Sequence, residues 1–173
     1  MEIRKFAMNY GTVLGLILAL IASVFWMIGI EERESIIPSL TNNLLIIGFL
    51  FYSITNYRDS IGNGFIAYSS SLKLGTSIAF FSSVIMAFYT FMYITYLNPE
   101  MLANISDMTE QTILQTNPEV SEEELEMALE ISSQLMQPHF LMIMGVLGGT
   151  FMGFLFSAVI SFFVKKTDIN NLP

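Results

Sequence analysis

Residues 139–164 read HFLMIMGVLGGTFMGFLFSAVISFFV and close a longer stretch, 131–164, that contains no Asp, Glu, Lys or Arg. The hydrocarbon core of a bilayer is about 30 Å thick, and a helix rising about 1.5 Å per residue crosses it with about 20 apolar residues. This stretch is long enough to do so. Helices buried in soluble cores are usually shorter and broken by charges, so its reading decides the fold class. Working outward, three more runs are free of charge: 6–30, 35–57 and 74–99. Trimmed to their apolar parts, they predict spans near 6–30, 36–57, 74–97 and 139–164. The expected fold is an all-α membrane protein, residues 1–173 forming one integral membrane domain. Four transmembrane helices make an up-down bundle, with an amphipathic helical excursion between the third and the fourth.

Composition agrees. The 173 residues are 53% hydrophobic and only 13% charged, about half the charge of an ordinary soluble domain. There is no cysteine and one histidine, which excludes disulfides, thiolate chemistry and multi-histidine metal centres. The net charge of −8 gives a nucleic-acid partner no electrostatic basis. Arg4 and Lys5 precede the first run as they would in a signal peptide. That run is far longer than a 7–15-residue signal core and lacks a small-residue cleavage site, so a retained first span is expected.

Six of the seven basic residues fall on one side of a four-span topology: Arg4, Lys5, Arg58, Lys73, Lys165 and Lys166, against Arg33 alone. Basic residues stay in the cytoplasm. Both termini and loop 58–73 are therefore expected there, with turn 31–35 and segment 98–138 outside. Trp26, Tyr89, Tyr93 and Tyr96 lie toward the outer boundary; Tyr10, Tyr52 and Tyr57 lie toward the inner one.

Three spans place small residues at every fourth position, which puts them on one helix face. The first has Gly11, Gly15, Ala19 and Ser23. The third has Gly75, Ala79, Ser83 and Ala87. The fourth has Gly145, Gly149, Gly153, Ser157 and Ser161, with Gly148 beside them. Lipid supplies little hydrophobic drive between helices, so small faces that let backbones approach are expected to hold them together. Either ordinary packing inside one bundle or a homodimer seam would use them, and packing inside one chain is the simpler use. The second span instead carries Pro38, Thr41, Asn42, Asn43, Gly48 and Asn56. Asn42 and Asn43 read functionally as a polar vestibule, and structurally as interhelical hydrogen-bonding groups near the outer boundary. Gly11-Thr12 and Gly75-Thr76 open two spans of the same direction, a faint echo that two repeats would produce.

Catalytic constellations are missing. No span has an acidic or basic residue in its interior, which argues against a proton-driven carrier. There is no Walker loop and no zinc-protease motif, and Gly62-Asn63-Gly64 is a turn signal. The serines have no histidine near them in any span, leaving only a chance pairing with Lys73 for nucleophilic chemistry. His139 stands at the outer edge of the fourth span, where an interfacial histidine or a pH sensor would sit. No cofactor and no metal are expected.

Between Lys73 and Lys165 there is no basic residue. Segment 98–138 carries the acids. Asn98-Pro99-Glu100 predicts a helix start with Asn as its cap and Pro at the first position. Asn117-Pro118 breaks that helix, and Ser121 with Glu124 predicts a capping box opening a second one to about residue 136. Glu122, Glu126 and Glu130 share one face, with Glu119 and Glu123 beside them. Leu125, Ala128, Leu129, Ile131, Leu135 and Met136 cover the other. The acidic face is a candidate docking surface for a divalent cation or a basic partner, or simply a solvated face. In loop 58–73, Phe65, Tyr68 and Leu72 predict an interfacial turn, and Arg58 pairs locally with Asp59.

Several short features occur together: Tyr10-Gly11 opening a Gly/Leu-rich span, Tyr57-Arg58-Asp59 closing the second, Leu72-Lys73-Leu74-Gly75, Asn98-Pro99-Glu100, and Lys165-Lys166 closing the fourth. In these the chain resembles a family of bacterial inner-membrane proteins defined only as a domain of unknown function, serial four-one-nine-nine. The resemblance implies a four-span protein of the bacterial inner (cytoplasmic) membrane. It brings no activity and no catalytic residues. The expected role is that of a non-catalytic membrane component in the lipid bilayer, an accessory or assembly partner of another membrane protein or a homo-oligomer. The alternative is a small channel or carrier for a neutral solute with Asn42 and Asn43 at its mouth.

Overall fold

The computed structural model describes residues 3–30 and 35–166. It contains six α-helices: α1 Ile3–Met27, α2 Ile37–Ser60, α3 Tyr68–Met92, α4 Glu100–Thr116, α5 Glu122–Leu135 and α6 Pro138–Val164. A single π-helical turn, Tyr93–Leu97, continues α3. Among the described residues there is no strand, only an isolated antiparallel bridge between Ile66 and Lys166. Helices α1, α2, α3 with its π turn, and α6 are each long and apolar enough to cross a membrane. Large apolar side chains face outward along them: Leu20 is 66% exposed, Phe88 62%, Leu147 60% and Phe163 75%. In water so much exposed apolar surface would drive aggregation; in lipid it needs no cover. This is the anatomy of a multi-pass membrane protein, and the all-α, four-span reading holds.

The boundaries move for local reasons. Helix α1 stops at Met27 because Gly29 adopts a left-handed φ of +73°. The Ile30 N–H then donates to Phe25 O and the Gly29 N–H to Trp26 O, a Schellman stop. Turn 31–35 is described only at Ser35, so residues 31–34, and Arg33 with them, lie outside the described residues. Helix α3 starts at Tyr68, six residues before the expected span, because nothing in Ser69-Ser70-Ser71-Leu72-Lys73 breaks a helix. At its far end the span does not pass directly into a capped helix. Asn98 is not the cap of α4: Pro99 occupies that place without a side-chain bond, and Asn98 Nδ2 donates to Tyr93 Oη at 3.1 Å. The Asn98 N–H reaches back five residues to Tyr93 O, which closes the π turn.

Packing divides the chain into two compact units, Met1–Met86 with Val146–Pro173, and Ala87–Gly145. In the first unit α1 runs antiparallel to α2: Phe6 meets Tyr57, while Tyr10 meets Phe49, Tyr52 and Asn56. Helix α1 runs parallel to α3, since Gly11 lies against Ile78 and Phe81, and Gly15 against Ser82 and Ile85. Helices α3 and α6 are antiparallel, as the pairs described below show. The alternation is up-down. The apolar core of this unit gathers Phe6, Leu14, Leu50, Ile54, Ile66, Leu74, Ile78, Ile160 and Val164. In the second unit α4 packs on α5 and on the π turn, and neither helix of that pair buries a residue fully.

Candidate functional site

The small residues of α3 and α6 meet one another in register. A methyl built on Gly75 would strike the Ser157 side chain. One on Gly153 would fall on Ala79, and one on Gly149 would meet Ser83. In the second unit a methyl on Gly145 would lie 4.0 Å from Ala87 Cβ. Each step of four along α3 is thus matched by a step of four backward along α6. One turn beyond Gly75–Ser157, Ser161 Oγ donates to Ser71 Oγ at 2.8 Å, both fully buried. Gly11 and Gly15 are closed in the same way by α3: a methyl on Gly15 would lie 2.7 Å from Ile85 Cβ and 2.9 Å from Ser82 O. Ala19 and Ser23 are half-buried, with Ser23 Oγ donating to Ala19 O. Gly148 and Gly48 have open space at the corresponding position.

Four serines lie wholly inside this unit. Ser53, Ser71, Ser157 and Ser161 are fully buried. Ser53 Oγ donates to Phe49 O and Ser83 Oγ to Ala79 O, the back-bond to the preceding turn that makes serine tolerable in a lipid-embedded helix. Thr55 Oγ1, Thr76 Oγ1, Ser157 Oγ and Asn42 Oδ1 are buried without a hydrogen-bond partner among the described residues. Asn43 is satisfied locally, its Nδ2 donating to Ser39 O at 2.8 Å. Asn42 and Asn43 therefore behave differently, Asn43 serving its own helix and Asn42 keeping an orphan acceptor.

At the end where α1 begins, Asn56 Nδ2 donates to Tyr10 Oη inside an aromatic group of Phe6, Tyr10, Phe49 and Tyr57. Arg58 forms two bonds to Asp59, 2.7 Å from Nε and 3.1 Å from Nη2, and reaches Val164 O, at the end of α6, with Nη1 at 3.2 Å. The local Arg58–Asp59 pair was legible in sequence; the long reach to α6 was not, because no spacing encodes it.

The second unit presents the acids. Ser121 accepts from the Glu124 N–H, and Glu124 accepts from the Ser121 N–H and hydroxyl, so the capping box is made. These bonds favour the charged carboxylate and hold Glu124 below the usual glutamate range. Helix α5 rests on α4 through half-buried Leu125, Ala128, Leu129 and Ser132. Met127, Ile131 and Leu135 form a separate stripe that stays exposed, 59%, 54% and 47% respectively. The expected single apolar face is thus two faces, and Ile131 and Leu135 belong to the outward one. Glu122, Glu126 and Glu130 are exposed beside that stripe. His139 is exposed in the first turn of α6.

The family model for a protein of unknown function (DUF4199) matches residues 9–166. The chain belongs to this family. The match runs from α1 to the Lys166 bridge and so takes in both units. No curated protein and no solved structure matches the chain.

Proposed function

We propose that this family member is a non-catalytic, multi-pass membrane component whose α4–α5 hairpin is its recognition element. The observation that carries the reading is the exposed surface of α5: the row Glu122, Glu126, Glu130 beside the stripe Met127, Ile131, Leu135. A helix already seated on α4 through another face has no internal use for this second stripe. Acids beside apolar anchors suit a basic, partly apolar surface on another membrane protein. The glycine faces support a scaffold role for the first unit, since Gly11, Gly15, Gly75, Gly149 and Gly153 are filled by neighbours within the chain. We place the protein in the bacterial inner membrane with both termini cytoplasmic, on the basic bias of Arg4, Lys5, Arg58, Lys73, Lys165 and Lys166.

The test is cross-linking and purification from the native membrane, comparing wild type with a Glu122→Lys, Glu126→Lys, Glu130→Lys variant. A stoichiometric membrane-protein partner lost on charge reversal supports the reading. A chain that purifies alone, or a partner kept by the variant, overturns it. A path for a neutral solute rests on one observation, the orphan Asn42 Oδ1. It requires solute flux in liposomes that Asn42→Leu reduces.

A further inference from the structure

The last residues of α6 and the loop joining α2 to α3 form a structured cationic corner. Residues 62–65 make a tight turn: Phe65 N–H donates to Gly62 O at 2.9 Å, with φ of 50° at Asn63 and 86° at Gly64. Positive φ at both central positions is the pattern of a type I′ turn, which Asn-Gly favours. The turn delivers Ile66, only 5% exposed, into the core. Ile66 then exchanges both backbone hydrogen bonds with Lys166, 3.0 Å each way. Lys166 is thereby pinned to the loop between α2 and α3.

Two ammonium groups result, each seated on a ring. Lys165 Nζ lies 4.6 Å from the centroid of Phe162, and Lys166 Nζ 5.9 Å from that of Phe65. Both lysines and both rings are exposed. Phe162 and Phe163, at the end of the span, are 62% and 75% exposed, which in a bilayer means contact with acyl chains. An ammonium over the face of a ring at the end of a span is suited to the headgroup region, with its remaining N–H donors available to a phosphate. Neither lysine is in an ion pair among the described residues. The nearby carboxylate, Asp59, is held in the two-bond pair with Arg58, whose remaining bond goes to Val164 O. Arg58 thus serves the fold and takes up most of the acid's charge; Lys166 also acts on Asp59 through space, without an ion pair, and helps hold that carboxyl below the usual carboxylate range, while Lys165 has no such partner among the described residues.

We propose that Lys165 and Lys166, pinned by the Ile66 bridge and floored by Phe162 and Phe65, bind the phosphodiester of an anionic glycerophospholipid whose acyl chains lie along Phe162 and Phe163. An anionic headgroup is favoured over a zwitterionic one because the latter carries its own cation, which the two ammoniums repel. Arg4, Lys5 and Lys73 share the charge of this corner, but among the described residues none of them has a backbone bridge or a ring seat. That difference makes them the control. The site is independent of any partner at the α4–α5 hairpin.

The experiment is native mass spectrometry of the full chain in mild detergent, titrated with phosphatidylglycerol and, separately, phosphatidylcholine. Wild type retains phosphatidylglycerol in preference. Each basic residue facing an anionic lipid surface is worth roughly a fivefold change in affinity, so Lys165→Gln with Lys166→Gln weakens retention roughly 25-fold. Arg4→Gln with Lys5→Gln weakens it clearly less, and Lys165→Arg with Lys166→Arg restores most of it. Equal retention of the two lipids overturns the proposal. So does an equal loss in the Arg4/Lys5 control. Displacement of the bound lipid by inorganic phosphate would reassign the corner to a free anion.

Discussion

The α3–α6 seam and the α4–α5 hairpin both place their contact residues about one helical turn apart, yet they are built from opposite side chains. The seam uses Gly75, Ala79 and Ser83 against Ser157, Gly153 and Gly149. The hairpin uses Leu125, Ala128 and Leu129 on α5, with half-buried Leu102, Ile105 and Ile113 on α4. The reason is the solvent each composition suits. Lipid is as apolar as leucine, so a large side chain gains nothing by leaving it for a neighbour; close backbone approach and dispersion must suffice. In water, burying leucine and isoleucine is itself the driving force. The same periodicity therefore means "small" in one region and "large" in the other, and each seam can be broken by the residue type that would strengthen its counterpart.

The largest effect is expected from bulk in the α3–α6 seam. Gly153→Leu places a side chain where Ala79 already stands, at a point where two helix backbones are close. Overpacking of this kind costs about 3 kcal/mol or more. Gly148→Leu, with open space around it, should leave thermal stability in detergent near wild type. The pair is diagnostic because the two glycines are in one helix and share its lipid environment. If both variants unfold alike, the seam is not responsible, since Gly→Leu raises helix propensity at both positions.

Next come the buried hydroxyls, where the sign of the change discriminates. Ser161→Ala removes the donor to Ser71 and leaves a buried hydroxyl without its partner. Interhelical hydrogen bonds in membranes measure about 0.6–1.7 kcal/mol. Replacing both serines by alanine should recover most of that loss, since no orphan remains. Ser157→Ala should be neutral or slightly stabilising, because Ser157 Oγ has no partner to lose. A double-mutant cycle on Ser71 and Ser161, read by reversible unfolding, measures the coupling. A cycle that sums to zero would show that the pair contributes nothing beyond its packing.

In the hairpin the equivalent break is Leu129→Ala on α5. Leu129 is half-buried against α4, so about 1 kcal/mol of local stability is at stake. Amide exchange should speed up through α4 and α5 and stay unchanged at Leu74 and Ile78. Met127→Ala, on the exposed stripe, should leave exchange in the hairpin unaltered. The comparison separates the face that builds the hairpin from the face proposed to meet a partner.

Legibility followed the same division. Four charge-free runs revealed the spans because the bilayer imposes a length that few other environments demand. The two small faces on α3 and α6 were visible, and so was the Ser121–Glu124 box. Hidden from the sequence was which small face meets which. Gly75 pairs with Ser157 through a long-range register that no local spacing records. Hidden for the same reason were the Tyr10–Asn56 bond, the reach of Arg58 to Val164, and the Ile66–Lys166 bridge. Asn98 was misread because local cap rules compete with tertiary partners. The aromatic hydroxyl of Tyr93 captured its amide, and a π turn displaced the helix start by one residue. On α5, the apolar pattern gave the right helix but merged two stripes, since 3.6-residue periodicity cannot tell a neighbour's side from an open one.

The smallest effect tests the hairpin at its most local bond. Ser121→Ala removes the acceptor for the Glu124 N–H and should loosen the first turn of α5 by about 0.5 kcal/mol, at the low end for an exposed cap. The same box has a pH signature of fixed sign. Glu124 is held below the usual glutamate range by its bonds to the Ser121 N–H and hydroxyl. The folded state therefore binds its proton less tightly than the unfolded chain does. The contribution is present in full above the ordinary carboxylate range and fades as pH falls through the lowered value. Protection factors at the amides of 124 and 125, which correct exchange for its intrinsic slowing in acid, should fall on acidification in wild type and depend less on pH in Glu124→Gln. The neighbouring acids complicate only the baseline: Glu122, Glu123 and Glu126 lose mutual repulsion on protonation, which steadies the helix while the cap weakens. Because the two trends oppose each other, a loss of protection confined to the first turn is attributable to the box, and a uniform change along α5 to the charge row.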